Sequence, residues 1–270
     1  MLGRVQREAA RRYRRDVPVV VRAAVSRRRR PAPTDQPDLV TVVLGNGGSE
    51  RTRAACLDRV VLQSYRRLEI VLAGGPDVRG TARRFTRWDR RVRYVAGVPG
   101  VDPRVTALEA ATGRFVLFLD PQVVLDQDAI ERLARSLRQS SSDLVVAGTP
   151  GRRAVYGLRI GDRPRLLGDG RLDGKLFTRD LARSAAAELT GASGDDRAAM
   201  TRAWATARFD LQPAPVYRWR GTKAPARAPL NDAAVERLAS ILFVHADEPV
   251  FTRWLDQHDR PDLSRRYEVG

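Results

Sequence analysis

Cysteine and histidine are nearly absent from this sequence of 270 residues, which has one cysteine and two histidines. The single Cys56 cannot form an intrachain disulfide, and one thiol with two separated imidazoles does not make a structural zinc site. Long apolar runs are also missing. The longest candidate, Val17 to Val25, is interrupted by Pro18 and Arg22 and falls short of the roughly 20 residues of a membrane span. These absences predict a protein of a reducing cytoplasm.

Lysine is scarce as well, because only Lys175 and Lys223 among the 49 basic residues are lysine. A GC-rich coding sequence produces such an arginine bias whatever the function, so the net charge of +17 is weak support for a polyanionic partner. Residues 1–30 hold eleven arginines against Glu8 and Asp16, a net +9, which leaves +8 for the other 240 residues. No recognition motif and no interleaved aromatic residues accompany this segment, so a nucleic-acid partner is not favoured.

Residues 1–37 are predicted to form a basic amphipathic helix and a proline-rich linker. Apolar residues recur at spacings of three and four among the arginines, at Leu2, Val5, Ala9, Tyr13 and Val17. Such a helix can bind an anionic membrane surface, each nearby arginine adding about 1 kcal/mol, or it can be a solvated or docked terminal helix. Arg27 to Arg30 follow the apolar stretch, where a secretory signal would have small residues. We therefore expect a cytoplasmic protein, peripheral on the inner face of the plasma membrane if the helix binds lipid.

From residue 39 the chain alternates short apolar runs with amphipathic stretches, which predicts an α/β fold with a mostly parallel sheet and helices on both faces. The runs expected to form strands are Leu39–Leu44, Leu68–Leu72, Val92–Val95, Phe115–Leu119 and Leu144–Ala147. Ser49, Asp102 and Asp126 are the expected caps of three of the intervening helices. Ligands of such sheets bind beyond the carboxyl ends of the strands. The candidate binding loops are therefore those that follow Leu44, Leu72 and Leu119.

The pattern changes after residue 148. Tyr156–Ile160 and Arg165–Leu167 are predicted to form a hairpin, and Val216–Trp219 a strand between prolines. Helices are expected at Leu181–Leu189, Arg197–Ala207, Asn231–Val244 and Pro249–Gln257, with a loop or linker at residues 222–229.

Three stretches of the sequence resemble the family-2 glycosyltransferases, the nucleotide-sugar enzymes of the GT-A fold. They are CLDRVVLQSYRRLEIVLAGG at residues 56–75, DPRVTALEAATGRFVLFLD at residues 102–120, and GKLFTRD at residues 174–180 followed by PVYRWR at residues 215–220. The last pair resembles members that build cell-wall or capsule polymers. The resemblance implies a Rossmann-like GT-A domain over residues 38–222, with a linker and C-terminal helices over residues 223–270.

Family members hold a divalent cation, Mg²⁺ or Mn²⁺, with an Asp-x-Asp motif at the end of the fourth strand. The aligned stretch here is Asp120-Pro121-Gln122, so the resemblance assigns the metal to Asp120 and Gln122. A neutral amide oxygen is a weaker ligand than a carboxylate, and we expect weak metal binding. In the other interpretation, Asp120 caps the turn after its strand.

The resemblance implies that three parts of the chain border the nucleotide of the donor. Gly45, Asn46 and Gly47 replace a Pro-x-Tyr-Asn turn that packs on the base, and their N–H groups can face a phosphate. Gly74 and Gly75 replace an acidic pair that binds the uracil edge, and Asp77 is the candidate substitute. A plain connection between strand and helix is the other interpretation of the glycines.

The family's catalytic base is the aspartate of a Glu-Asp pair that begins a helix. Asp195 and Asp196 occupy this position, and Asp196 is the candidate base for an acceptor hydroxyl. Two aspartates at a helix start can instead stabilise its N-terminus by 0.3–1 kcal/mol each. Lys175 matches the acceptor side, where its ammonium can contact a phosphate, or it is a surface charge.

Two functions follow from the resemblance. The first is transfer of a sugar from a nucleotide diphosphate donor to a cell-envelope polymer or lipid-linked acceptor, with weakened or lost activity because the donor motifs are degenerate. The second is a catalytically degenerate GT-A domain that serves as a membrane-associated binding or scaffold module. His245 and His258 are expected to be structural.

Overall fold

The computed structural model describes residues 39–45, 47–149, 153–189, 196–220, 230–258 and 261–267. Four predicted features lie outside the described residues: the helix and linker of residues 1–37, Asn46, Asp195 and the loop at residues 222–229. None of the described helices is long and apolar enough to cross a membrane.

The first half of the described chain alternates strands and helices as the sequence predicts. The elements are β1 (Val40–Leu44), α1 (Glu50–Val61), β2 (Leu68–Gly74), α2 (Pro76–Thr86), β3 (Val92–Ala96), α3 (Pro103–Glu109), β4 (Phe115–Leu119), β5 (Val123–Leu125), α4 (Ala129–Ser140) and β6 (Leu144–Ala147). Two predicted caps are confirmed: the Ser49 side chain accepts the Thr52 N–H at 3.2 Å, and that of Asp102 accepts the Arg104 N–H at 2.8 Å.

The second half contains shorter elements. They are β7 (Val155–Leu158), two 3-10 helices (Ile160–Asp162 and Pro164–Gly168), β8 (Lys175–Thr178), α5 (Arg179–Ala186), α6 (Asp196–Thr206), β9 (Phe209–Gln212), β10 (Tyr217–Trp219), α7 (Asp232–His245), α8 (Glu248–His258) and α9 (Pro261–Arg266).

Eight strands form the main sheet in the order β3-β2-β1-β4-β8-β6-β9-β7. Six strands run in one direction, and β8 and β7 run opposite to their neighbours. The register pairs Leu44 of β1 with Leu72 of β2 and with Leu119 of β4, so these strands end at one level. The prediction of a mostly parallel sheet is therefore confirmed, and the loops that follow the three strands share one edge.

Alternate residues of the strands build a separate hydrophobic core on each face of the sheet. Val42 and Leu44 pack in the core that contains α1, α2 and α4, whereas Val43 packs with α3, α5 and α6 on the opposite face. A third cluster joins Ala198 of α6 to α7, α8 and α9. Helices thus cover both faces, and the C-terminal helices pack on the beginning of α6.

Two local predictions are wrong. Residues 164–168 form a 3-10 helix rather than the second strand of a hairpin, and β7 pairs with β9 instead. Asp128, not Asp126, is the N-cap residue of α4. The Asp126 N–H is held by the Val216 carbonyl at 2.9 Å, which ties this residue to the segment before β10.

Candidate functional site

Three aspartates gather where β4 ends, β8 begins and α6 begins. Asp120 directly follows β4, Asp173 lies two residues before β8, and Asp196 is the first residue of α6. The Oδ1 atom of Asp173 accepts the backbone N–H of Asp120 at 2.6 Å. The negative charges of Asp196 and Asp120 both act on Asp173. Residues distant in sequence therefore form one acidic cluster at the carboxyl edge of the parallel strands.

The carboxyl group of Asp173 has a raised pKa. Burial, followed by the charges of Asp196 and Asp120, raises the pKa of Asp173 from 3.8 to about 7. The hydrogen bond from Asp120 and the charge of Arg104 oppose this shift without cancelling it. Burial and the two neighbouring carboxylates therefore favour the protonated form of Asp173.

Arg104 connects the candidate base to the rest of the fold. Its guanidinium forms an ion pair with Asp196 and binds Asp102 through Nε at 3.0 Å and Nη2 at 2.7 Å. Burial alone would lower the pKa of Arg104, but the hydrogen bond to Asp102 and the charges of Asp196 and Asp102 raise it above its ordinary value. Arg104 therefore stays charged and holds the beginning of α6 against the beginning of α3.

The side chain of Asp120 is half-buried. Its Oδ1 accepts the N–H of Gln122 at 2.6 Å, and its Oδ2 would lie 3.6 Å from a Cβ atom placed on Gly47. Asp120 therefore forms the turn cap considered above and also faces the glycine loop. A carboxylate and an amide are oxygen donors of the kind that Mg²⁺ and Mn²⁺ bind. Among the described residues, no three histidine, cysteine or acidic side chains are grouped to hold a metal.

The donor side is organised by a buried arginine that the sequence analysis did not identify. Arg53 of α1 has 4% of its side chain exposed and donates to the Gly48 carbonyl at 2.8 Å and to Asp77 Oδ2 at 3.0 Å. The Gly45 N–H binds the Leu119 carbonyl at 2.9 Å. The glycine loop is thereby fixed between Asp77 at the start of α2 and the end of β4, whereas Asp77 itself stays 66% exposed.

Gly74 ends β2 and is packed too tightly to accept a side chain, whereas Gly75, the next residue, is not. A Cβ atom on Gly74 would lie 2.7 Å from the Val78 side chain. The Tyr94 hydroxyl donates to the Gly74 carbonyl at 2.7 Å, which places an aromatic ring of β3 beside this turn. Tyr94 is a further candidate residue of the donor side. Its position near the end of the predicted strand Val92–Val95 could have identified it from the sequence.

Lys175 is buried, so its interpretation as a surface charge is wrong. Its Nζ forms an ion pair with Asp169 at 2.9 Å and donates to the Arg171 carbonyl at 2.6 Å. The Asp169 carbonyl in turn accepts the indole N–H of Trp204 at 3.0 Å. Lys175 thus binds the segment that carries Asp173, and its predicted contact with a substrate phosphate stays a prediction.

Gly174 permits the turn between Asp173 and β8. Its φ is +72°, and a Cβ atom there would lie 2.0 Å from the ring of Tyr217. Burial raises the pKa of the Tyr217 hydroxyl, and the charges of Asp169 and Asp173 raise it further. The GKLF string and the VYRW string of the sequence therefore meet at the acidic cluster.

Comparisons with known proteins identify the family and the fold. A sequence model of the family described as "Glycosyl transferase family 2" matches residues 42–178. The chain is 29% identical over 116 residues to the glycosyltransferase GlyA of Streptococcus pneumoniae serotype 4. This match covers 40% of the chain and only 16% of the length of GlyA.

Two solved structures share the fold. The structure of S. aureus TarS 1–349 in complex with UDP-GlcNAc superposes with a TM-score of 0.62 at 17% identity, covering 82% of this chain and 72% of that chain. The mannosyltransferase PcManGT from Pyrobaculum calidifontis, in complex with GDP-Man and Mn²⁺, superposes with a TM-score of 0.51 at 20% identity, covering 89% of this chain and 75% of that chain. The predicted GT-A architecture is therefore confirmed.

Proposed function

Because this chain belongs to glycosyl transferase family 2, we propose that it transfers a sugar from a nucleotide diphosphate donor to a polymer or lipid-linked acceptor of the bacterial cell envelope. The observation that carries the proposal is the hydrogen bond from the Asp120 N–H to Asp173 at the carboxyl edge of the parallel strands, together with Asp196, whose charge acts on the same Asp173 carboxyl. The two structural relatives described above hold UDP-GlcNAc and GDP-Man, which are donors of this class.

In this proposal Asp196 is the catalytic base of an inverting transfer. The acceptor hydroxyl attacks the anomeric carbon of the sugar and passes its proton to the Asp196 carboxylate, while the bond to the diphosphate breaks. Arg104 and Asp102 fix the position of that carboxylate, because the guanidinium contacts both acids. Asp195, which precedes Asp196, takes the place of the family's glutamate.

The donor lies on the other side of the cluster. The loop of Gly45, Asn46 and Gly47 borders the diphosphate, and because the Leu119 carbonyl accepts the Gly45 N–H, the N–H groups after Gly45 are the donors offered to a phosphate. Gly74, Gly75 and Asp77 border the base of the nucleotide, with Arg53 holding Asp77 and the loop together.

Asp120 and Gln122 would hold a divalent cation, Mg²⁺ or Mn²⁺. When bound, the cation stabilises the negative charge that the diphosphate gains as it leaves. Binding is expected to be weak, since one carboxylate and one amide replace the usual carboxylate pair. On the acceptor side, Lys175 acts by fixing the segment of Asp169 to Asp173 beside the base.

A second candidate function is a degenerate GT-A domain that works as a membrane-associated binding or scaffold module. The donor side favours it, because Asp120 is followed by Pro121 and Gln122, and Gly74 and Gly75 stand in place of an acidic pair. This candidate keeps the fold and the acidic cluster but not the transfer reaction.

Calorimetric titration separates the two candidates. UDP-GlcNAc and GDP-Man are titrated into the protein with Mn²⁺ and with a chelator, and the Asp120→Asn variant is compared with the matched exposed variant Asp126→Asn. If the protein is a transferase, it should bind one of the donors in the presence of Mn²⁺. Its donor affinity should fall strongly in the chelator and in the Asp120→Asn variant, and it should be unchanged in Asp126→Asn. No binding of either donor under any condition favours the scaffold.

Residues 1–30 carry a separate part of the proposal, attachment to an anionic membrane surface. Their net +9 charge is concentrated next to apolar positions at helical spacing. Flotation with vesicles of anionic and of zwitterionic lipids, with the full chain and with residues 1–30 deleted, tests it. Equal flotation of the two proteins would refute the attachment.

A further inference from the structure

A cleft of about 380 Å³ opens between the 3-10 helix Pro164–Gly168, the first turn of α6 and the C-terminal helices α7 and α8. Part of its lining is polar, and part is apolar. Its lining includes Arg165, Arg197, Leu238, Trp254, Gln257 and His258. Most of this lining lies beyond residue 178, where the match to the family model ends.

The cleft has two chemical surfaces. Leu238 and Trp254 are buried and form an apolar wall, and the Trp254 ring stacks on His258 with 4.2 Å between ring centroids. Arg165 is exposed, and Arg197 is a second arginine in the lining. Apolar ring faces of sugars pack on such walls, and guanidinium groups bind phosphate through paired N–H donors. The volume lies within the range of small-molecule sites.

Two chain segments lead from this cleft to the acidic cluster. Asp196 and Arg197 are consecutive residues of α6, the first paired with Arg104 and the second lining the cleft. The segment after Pro164–Gly168 continues through Asp169 to Asp173, whose carboxylate contacts Asp120. Consecutive residues on a helix project about 100° apart, so the cleft lies beside the candidate base and not on it.

We propose that this cleft is a binding site for a phosphate-bearing sugar unit of the acceptor, adjacent to the unit that reacts at Asp196. The guanidinium groups of Arg165 and Arg197 bind the phosphate, and Leu238 and Trp254 contact the sugar ring. The proposal rests on the proposed transferase function, and it adds that the acceptor is an anionic glycan whose phosphate is recognised by Arg165 and Arg197 and whose sugar ring packs on the C-terminal helices.

The indole N–H signal of Trp254 in the ¹H–¹⁵N spectrum of the full-length protein reports on the cleft. The Trp254→Phe variant identifies the signal by its loss. Glucose 6-phosphate, glucose and inorganic phosphate are the probes, each titrated into the protein at fixed ionic strength. The same titrations monitored by calorimetry measure the affinity of each probe without relying on the Trp254 variant.

We expect glucose 6-phosphate to shift the signal saturably, with glucose and inorganic phosphate each binding at least about tenfold more weakly. Arg165→Glu should weaken glucose 6-phosphate binding about tenfold or more. The matched control is Arg163→Glu, because Arg163 is exposed, lies two residues away outside the cleft and donates to the Asp162 carbonyl at 2.8 Å. It should bind as the native protein does.

Three results would overturn the site: no saturable shift with glucose 6-phosphate, equal binding of inorganic phosphate, or unchanged affinity in Arg165→Glu. Titration of UDP-GlcNAc and GDP-Man into the same samples tests the proposed function separately. Donor binding without glucose 6-phosphate binding removes the cleft from the proposal and leaves the transferase. Sugar phosphate binding without donor binding retains the site and favours the scaffold.

Discussion

The Oδ1 atom of Asp173 lies 2.6 Å from the backbone nitrogen of Asp120 and accepts its hydrogen bond. This contact joins the segment before β8 to the end of β4, two places more than fifty residues apart in the chain. It also brings the Asp173 carboxyl under the influence of Asp120 and Asp196, whose charges together with burial raise its pKa to about 7.

The first prediction concerns the pH dependence of stability. In the unfolded chain Asp173 has its ordinary pKa near 3.8, so the folded state binds the proton more tightly. Stability therefore falls as the pH rises from about 4 to about 7. Asp173→Asn removes the ionisation and keeps the acceptor oxygen. It should gain about 1–3 kcal/mol relative to the native protein between pH 5 and pH 8, measured by urea unfolding with a chelator present.

Asp173→Ala is the control for that measurement. It removes the ionisation too, but it leaves the Asp120 N–H without its acceptor, which costs about 1–3 kcal/mol. It should therefore be less stable than Asp173→Asn at every pH. A stability difference between Asp173→Asn and the native protein that does not change with pH contradicts the raised pKa.

The second prediction concerns the candidate base. Asp196→Asn should reduce sugar transfer by at least about a hundredfold, because an amide cannot take the acceptor's proton. Donor affinity should change less than threefold, measured by calorimetry with UDP-GlcNAc and GDP-Man. Asp180→Asn, an exposed residue in the first turn of α5, is the matched control and should transfer normally. Normal turnover in Asp196→Asn would remove this residue from the mechanism.

The third prediction concerns Arg53. Replacing it with methionine removes the bonds to Gly48 and Asp77 while filling much of the buried volume. Donor affinity should fall about five- to tenfold, since the glycine loop and the start of α2 lose their common partner. Arg51→Met, at an exposed position of the same helix turn, should bind donor as the native protein does. Equal donor affinity in both variants would exclude a donor-side role for Arg53.

The fourth prediction concerns Gly174. Alanine at this position must adopt a φ of +72° and displace the Tyr217 ring, which a Cβ atom would approach to 2.0 Å. We expect a loss of about 3 kcal/mol in the free energy of unfolding, combining backbone strain with overpacking. Gly168→Ala has no atom within 4 Å of its added methyl group and should change stability by less than about 1 kcal/mol.

The fifth prediction concerns Cys56. Burial raises the pKa of its thiol to about 12, so little thiolate exists at neutral pH. The native protein should not react with a thiol-specific alkylating reagent at pH 8 over an hour. The protein in 8 M urea should react with one equivalent, since Cys56 is its single cysteine. Rapid labelling of the folded protein would contradict this burial.

The sheet could be predicted because its strands carry local signals. The predicted bounds of the strands Phe115–Leu119 and Leu144–Ala147 match the structure, because the first run lies between Arg114 and Asp120 and the second between Asp143 and Gly148. Strand β8 was missed because only four residues form it and they begin with Lys175. Its place in the sheet comes from pairing with β4 and β6, which no local pattern records.

The candidate site was predictable only where a motif marked it. Asp120 and Asp196 were found from the order and spacing of family strings, and the structure places both near Asp173. Asp173 and Arg104 were missed, because their significance depends on partners more than fifty residues away. The burial of Lys175 was unexpected although its ion-pair partner, Asp169, lies only six residues earlier.

Strand β8 has a consequence for synthesis of the chain. It lies between β4 and β6 and runs antiparallel to both, yet it leaves the ribosome after both of them. Until Lys175–Thr178 emerges, β4 and β6 cannot join one sheet, and the nascent polypeptide exposes hydrogen-bonding edges that promote aggregation. A premature stop codon before residue 175 should therefore yield insoluble fragments, whereas one within the last helix should leave the sheet intact.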